Sequence, residues 1–367
     1  MRLIVSCIPY DQGKSGISVY TREVVRALLA QGHELTLLCE PGVDAAAIAG
    51  REIANFHAPG WTKKAVVSMT WHLVVLPFIL WRRRREFDGF VICAANRRVC
   101  AWYPLATTAT VHDLANFHIP GKYSRMRMIY LAHVLPFFAK RAQYLVAVSG
   151  ATKDDMVQFW HCAPDDVNVL YNGLTQGPRA KGQGPGAKGE GALLYISRIE
   201  HPGKNHVRLI EAYGKLPKNL AKSCPLLLAG ADWKDAEVVH EAAAKSPNAE
   251  YIRFTGFVDD IEALWDEAGF YVFPSLFEGF GLSLIEAMDR GITCACSGNG
   301  SLGEIAGDVA ITFDPYDVDA IAAALVKLLT ESEKERQARV ERGHEHIKKY
   351  SWPDHAAGIV KLLGGAA

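Results

Sequence analysis

The chain has 367 residues and a mass of 40.3 kDa, with 49% hydrophobic and 22% charged residues and 40 basic against 40 acidic side chains. That balance excludes a disordered or collagen-like polypeptide, and the length exceeds what one hydrophobic core ordinarily supports, so two domains are expected. The neutral sum hides an asymmetry: residues 1–180 carry 20 basic and 13 acidic side chains, the remainder 20 and 27. Either the first half meets an anionic partner, such as a membrane surface or a phosphorylated acceptor, or its charges lie on solvated faces.

Residues 2–9 read as a buried strand, 19–30 as a helix and 34–39 as a second strand. The loop between, from Tyr10 to Gly16, fails the Walker A pattern because Ile8 stands where a glycine is needed, and it fails G-x-G-x-x-G. A glycine loop feeding a helix N-terminus, able to sit near a diphosphate, remains. Residues 66–81 are apolar, contain Pro77 and run into Arg82, Arg83, Arg84 and Arg85. They are too few to span a bilayer core of ~30 Å, which leaves an interfacial helix on anionic lipid or a core helix with a basic end. Residues 108–111 form a strand that delivers His112 and Asp113 at its C-terminal end, where parallel sheets bind ligands. A long helical pattern over 123–141 follows Lys122 and carries Arg125, Arg127, Lys140 and Arg141, which could touch an acceptor or a membrane. Strands at 144–149 and 168–171 flank a helix carrying Lys153.

Residues 173–191 hold seven glycines and two prolines and read as a linker between domains. Beyond it the α/β alternation resumes, with strands at 192–197, 225–229, 251–254, 270–273, 293–296 and 310–313. A basic loop over 198–206 precedes a helix, and helices over 318–329 and 332–349 precede a last apolar helix. No internal repeat beyond this alternation is evident. The eight cysteines show neither zinc nor C-x-x-C spacing, and Met1-Arg2 leads directly into a strand, so reduced, buried thiols in a cytosolic protein are expected.

Residues 269–274 form a buried-strand pattern ending at Pro274, followed by Phe277-Glu-Gly-Phe-Gly-Leu-Ser-Leu-Ile-Glu-Ala287. Gly279 and Gly281 permit positive φ and close approach of backbone to a ligand, and Ser283 with Glu286 stands at the S-x-x-E spacing of a capping box. Helix starts collect anions, so Glu278 in the turn and Glu286 in the first helical turn beside free amides suggest a sugar-phosphate ligand. A plain turn followed by a capped helix accounts for the same residues.

The stretch from Glu278 through Phe280, Gly281 and Leu282 to Glu286 resembles the E-x7-E motif of the retaining glycosyltransferases grouped as family 4. That family has the GT-B fold, an α/β architecture of two facing Rossmann-like domains with a cleft between them. The Gly13–Gly16 loop is similar to the family's N-terminal glycine loop, His112-Asp113 to its His-Asp pair, and Ser197-Arg198-Ile199 with Lys204-Asn205 to its Arg…Lys donor site. Gly256-Phe257-Val258 resembles the G-x-V turn near the donor base, while Gly303-Glu304 departs from the family in lacking a proline before the acid. The resemblance implies an acceptor domain over 1–172, a linker over 173–191, a nucleotide-sugar domain over 192–345 and a C-terminal helix over 346–367 crossing back to the first domain. It implies that Arg198 and Lys204 hold the donor diphosphate, Glu286 the ribose, and Glu278 the sugar hydroxyls. His112, with Asp113, would meet the sugar from the first domain, Gly16 would let backbone near the diphosphate, and Val258, Phe280, Gly281 and Leu282 would line the donor site.

The expected reaction is transfer of a hexose, mannose or glucose in type, from a GDP- or UDP-linked sugar to a glycan or lipid-linked acceptor in surface polysaccharide synthesis. It would proceed with retention, without metal or other cofactor and without a nucleic-acid partner, on the cytoplasmic face of a membrane met through Arg82–Arg85. No D-x-D motif stands at a site-like strand end; Asp259-Asp260 and Asp154-Asp155 read as helix-start acids. A sugar-nucleotide epimerase, a phosphorylase and a non-catalytic donor-binding subunit stay open as alternatives.

Overall fold

The computed structural model describes the chain except Pro9, Lys14, Pro120, Lys122, Tyr123 and residues 176–190 and 366–367. Most of the glycine-rich 173–191 stretch, and Lys122, therefore lie outside the described residues. Two compact units emerge: Met1–Thr175 together with Tyr350–Ala367, and Gln176–Lys349.

The first unit is built on seven strands, β1 (Arg2–Ser6), β2 (Glu34–Cys39), β3 (Ala54–His57), β4 (Gly89–Ile92), β5 (Thr107–Val111), β6 (Tyr144–Ala147) and β7 (Val167–Val169). They pair in the order β3-β2-β1-β4-β5-β6-β7, every pair parallel. Strands buried on both faces read as continuous apolar runs, and Leu3, Ile4 and Val5 of β1 are fully enclosed with Phe90, Val91 and Ile92 of β4. The pattern reading missed β3, a largely exposed edge strand, and the four-residue β4.

Two surface helices of this unit share a device. Helix Ala65–Arg82 loosens over Trp71–Val75, where Leu76 N–H bonds back five residues to the Trp71 carbonyl. Pro77 follows, and its missing N–H frees the Leu73 carbonyl, which accepts from Ala101 N at 2.8 Å instead. The helix over 125–139 repeats this with Tyr130–Val134, Leu135 N–H to the Tyr130 carbonyl, and Pro136. Both carry Val-Leu-Pro-Phe, at 75–78 and 134–137, a short internal repeat that the sequence reading passed over. Trp71, Leu76 and Leu80 of the first and Leu135 and Ala139 of the second belong to one core cluster. The helix over 66–81 thus has a core face and an exposed one, on which Val66 (73% exposed) and Phe78 (56%) point outward.

Helix Trp352–Gly364 completes the first unit, burying Trp352, His355, Ala356, Ile359 and Leu363. Ser351 caps it by accepting from Asp354 N, and Leu174 N donates to the Tyr350 carbonyl at 3.1 Å. Gly173 has no room for a side chain: a Cβ there would stand 2.1 Å from Trp352 N.

The second unit has six parallel strands, β8 (Ala192–Ile196), β9 (Leu226–Ala229), β10 (Ile252–Gly256), β11 (Ala268–Phe273), β12 (Thr293–Ser297) and β13 (Ile311–Phe313), in the order β10-β9-β8-β11-β12-β13. The order reverses between β8 and β11, and loops leaving the C-terminal ends of such a pair form the crevice where doubly wound folds bind ligands. All eight cysteines are unpaired and buried.

Candidate active site

Arg198 and Lys204 leave the end of β8, and Glu278 to Glu286 leave the end of β11, so most of the expected donor residues flank the reversal in strand order. Two hydrogen bonds lace the two loops, Leu276 N to the Gly203 carbonyl at 3.0 Å and Asn205 Nδ2 to the Pro274 carbonyl at 3.0 Å, and Tyr195 Oη on β8 anchors the first loop by donating to the Lys204 carbonyl at 2.9 Å. Asn205, buried with φ +59°, also donates to the Pro315 carbonyl at 2.7 Å. The result is an ion pair, Lys204 Nζ to Glu278 Oε1 at 2.6 Å, with side chains 21% and 18% exposed. Burial opposes the ammonium charge, but Glu278 together with Tyr195 and Glu200 more than offsets it, so the Lys204 pKa is raised and the amine stays protonated.

Arg198 extends into solvent, stacked over Trp233 at 5.1 Å and 3.4 Å from Glu200. Glu200, which the sequence reading left without a role, also supports the charge of Lys204. Cations and carboxylates therefore alternate, Arg198 with Glu200 and Lys204 with Glu278.

The helix after the glycine turn runs Leu282–Asp289, with Gly281 at its start at φ +100° and no side chain capping it. This corrects the expected capping box: Ser283 already lies inside the helix, and its Oγ accepts from Tyr271 Oη at 2.7 Å. Among the described residues the reciprocal box forms at Ser332 and Glu335, where helix Glu333–His346 begins. The N-cap of Leu282–Asp289 is a glycine and supplies no capping side chain, and the start of such a helix is suited to an anion. A Cβ on Gly281 would lie 2.6 Å from Leu302 Cδ2, so position 281 needs glycine for conformation and space alike. The Glu278 backbone is held as well, its carbonyl accepting from Ser301 Oγ at 2.8 Å. Phe280 is buried, so a ligand there meets its backbone; Leu282 is half-buried, as is Val258, beyond the end of β10. Asp260 caps helix Ile261–Glu267 as read, whereas Asp155 lies mid-helix, buried and paired with His118 at 2.8 Å.

In the first unit, His112 follows β5 and is 8% exposed. Its Nε2 lies 2.7 Å from the Cys93 carbonyl, which only accepts, so Nε2 carries the proton. Burial lowers its pKa, so the ring is neutral and Nδ1 is its acceptor. Thr152 Oγ1 donates to the His112 carbonyl at 3.2 Å, and Asp113 accepts from Ala115 N, closing the next turn. Gly16 is the first residue of helix Gly16–Ala30, capped by Ser15. Asp11 accepts from Ser15 N at 3.1 Å and pairs with the Ser18 hydroxyl, so the carboxylate at this helix start is the chain's own.

Comparison with known proteins follows this geometry. Residues 179–346 match the glycosyl transferases group 1 family and residues 14–175 match Glycosyltransferase Family 4. The O-antigen chain mannosyltransferase B of Escherichia coli is 30% identical over 254 residues, 66% of this chain and 66% of that protein. The alignment thus spans just under two thirds of that relative, and 34% of the serotype-specific mannosyltransferase WbdA of the same organism, at 28% identity over 71% of this chain. Sucrose-phosphate synthase from Thermosynechococcus elongatus superposes over 100% of both chains with a TM-score of 0.78 at 16% identity. Anabaena Alr3699/HepE in complex with UDP-glucose does so over 100% of both with 0.71 at 15%. Two Rossmann-like units, an Arg198, Lys204 and Glu278 cluster at a strand-order reversal, and matches over both halves have one reading: the chain belongs to glycosyltransferase family 4, with the GT-B fold.

Proposed function

We propose that the chain is a retaining hexosyltransferase that moves a mannosyl or glucosyl group from a GDP- or UDP-linked sugar to a glycan or lipid-linked acceptor in surface polysaccharide synthesis. The observation that carries this is the Lys204–Glu278 pair at the reversal between β8 and β11, beside a helix start whose N-cap is glycine. A departing nucleoside diphosphate develops negative charge, and a fixed ammonium, a guanidinium and aligned amides stabilise it. Lys204, Arg198 and the amides after Gly281 have that role in our reading, Glu278 binds hydroxyls of the donor sugar, and Glu286 the ribose. His112, neutral with Nδ1 as acceptor, takes a hydrogen bond from a sugar hydroxyl, and the first unit supplies the acceptor site. The names of the mannosyltransferase relatives and the UDP-glucose complex of a fold neighbour support the donor class. The positive groups suffice for the leaving diphosphate, so we assign the reaction no metal.

The first unit meets an anionic lipid surface at the cytoplasmic face in this reading. Residues 53–85 and 114–153 contain six basic residues each and not one acid. Their helices turn Val66, Phe78, Trp81, Met126, Ile129 and Phe137 outward. Apolar side chains ringed by arginine and lysine suit a headgroup layer.

The test is a panel of GDP- and UDP-sugars in a thermal-shift assay, followed by product analysis with the best binder. Binding raises apparent stability in step with affinity. A chain that binds a nucleotide sugar but converts it without acceptor is an epimerase, and one that binds and never turns over is a donor-binding subunit; either outcome sinks the transferase reading.

A further inference from the structure

Tyr20, on helix Gly16–Ala30, is fully buried and joins three elements remote in sequence. His355 has Nδ1 2.9 Å from the Tyr171 carbonyl, and a carbonyl only accepts, so Nδ1 carries the proton. Burial pushes the His355 pKa down to about 4, so the ring is neutral and Nε2 accepts. Tyr20 Oη, 2.8 Å from that Nε2, therefore donates to it, and its oxygen accepts from Thr110 Oγ1 on β5 at 3.0 Å. The direction of the whole chain is fixed: Thr110 to Tyr20, Tyr20 to His355, His355 to the Tyr171 carbonyl.

The ring held in this way meets the His112 ring edge to face, centroids 4.6 Å apart at 88°. Trp352 and His355 close on Tyr20 at 5.7 and 5.1 Å. His112 is thereby confined by Tyr20 at its ring, by Cys93 at Nε2 and by Thr152 at its carbonyl. Packing alone would be served equally by phenylalanine at position 20; the hydroxyl is what ties the ring to both β5 and the helix Trp352–Gly364.

We propose that Tyr20 and His355 are positioning residues: their hydrogen-bond chain holds the Tyr20 ring, and that ring fixes the orientation of His112, whose tautomer the Cys93 carbonyl sets, so that Nδ1 is presented to the sugar. The proposal rests on the reading of His112 as a sugar contact.

It is tested in the full chain with Tyr20→Phe, His355→Gln and His355→Ala, reading kcat and KM for the nucleotide sugar and, separately, the ¹H–¹⁵N ring correlations of His112. Tyr20→Phe is expected to lower kcat about tenfold with KM changed less than about twofold, because misorientation of a positioned group is felt at the transition state. The His112 ring signals should shift and broaden in the same variant, as the ring samples more than one orientation. Glutamine at 355 can accept with Oε1 and donate with Nε2, so His355→Gln should keep most activity and His355→Ala should not. An unchanged kcat in Tyr20→Phe overturns the proposal, and so does a lowered kcat with a native His112 signal, since Tyr20 would then act elsewhere. Absence of transfer by the wild type with every donor would refute the functional reading, while the His112 signal would still decide whether Tyr20 fixes that ring.

Discussion

Lys204 Nζ donates to Glu278 Oε1 at 2.6 Å although 74 residues separate the two, and each neutralises the other while no diphosphate is bound. In the proposed site a diphosphate would share that ammonium with Glu278. Glu278→Gln should therefore bind free nucleoside diphosphate a few-fold more tightly, yet transfer sugar about a hundredfold more slowly, a loss of roughly 3 kcal/mol in transition-state binding. Titration calorimetry with the nucleotide and initial rates with the sugar measure the two halves. Wild-type turnover by this variant would remove Glu278 from the site.

Gly281→Ala adds a methyl 2.6 Å from Leu302 Cδ2 at a backbone φ of +100°. Strain of that kind costs of order 1–3 kcal/mol. Denaturant unfolding should show the loss, and Leu302→Ala in the same chain should not recover all of it, because the backbone angle stays unfavourable for a side chain. A midpoint equal to the wild type would show that the turn relaxes freely.

Stability should depend on pH through three enclosed imidazoles. Burial holds His72 and His206 down at about 3 and His355 at about 4, against 6.5 for a free ring. Below about 6.5 the unfolded chain takes up protons that these rings refuse while folded, so stability falls as pH drops toward about 4, by up to about 1.4 kcal/mol per pH unit for each ring. Denaturant midpoints between pH 7 and 4 give the slope, and His355→Gln should flatten it; an equal slope in that variant would mean other groups dominate.

Phe78→Ser combined with Phe137→Ser should reduce co-sedimentation with vesicles containing an anionic lipid by about tenfold or more, since each ring withdraws apolar area from water on docking. Binding should also weaken with salt, as charge attraction does over a Debye length. Retention of both variants on anionic vesicles at wild-type levels would argue that the face serves another partner, and a change in oligomeric state on substitution would identify a second copy.

The parallel α/β character of both halves was legible because strands such as β8 and β11 are unbroken apolar runs of five and six residues with turn residues after them. So was the position of Arg198, Lys204 and Glu278 at strand ends. The start of the helix carrying Glu286 was misread because Ser283 and Glu286 match the capping-box spacing, a local pattern, while the glycine conformation at 281 and the Tyr271 hydroxyl decide the matter. Glu200 gave no sequence signal, and Asn205 stood in the family resemblance without a role of its own, since their importance arises from loops brought together across the sheet. The Tyr20–His355 contact spans 335 residues and no local periodicity encodes it.

The helix Trp352–Gly364, which packs into the first unit, follows the whole second unit in the chain. A ribosome thus releases residues 1–175 long before Trp352, His355, Ile359 and Leu363 exist to cover them. The first unit stays incompletely closed, with apolar surface open, until the second has been synthesised. Early termination anywhere upstream of residue 352 would damage the half of the protein that was made first.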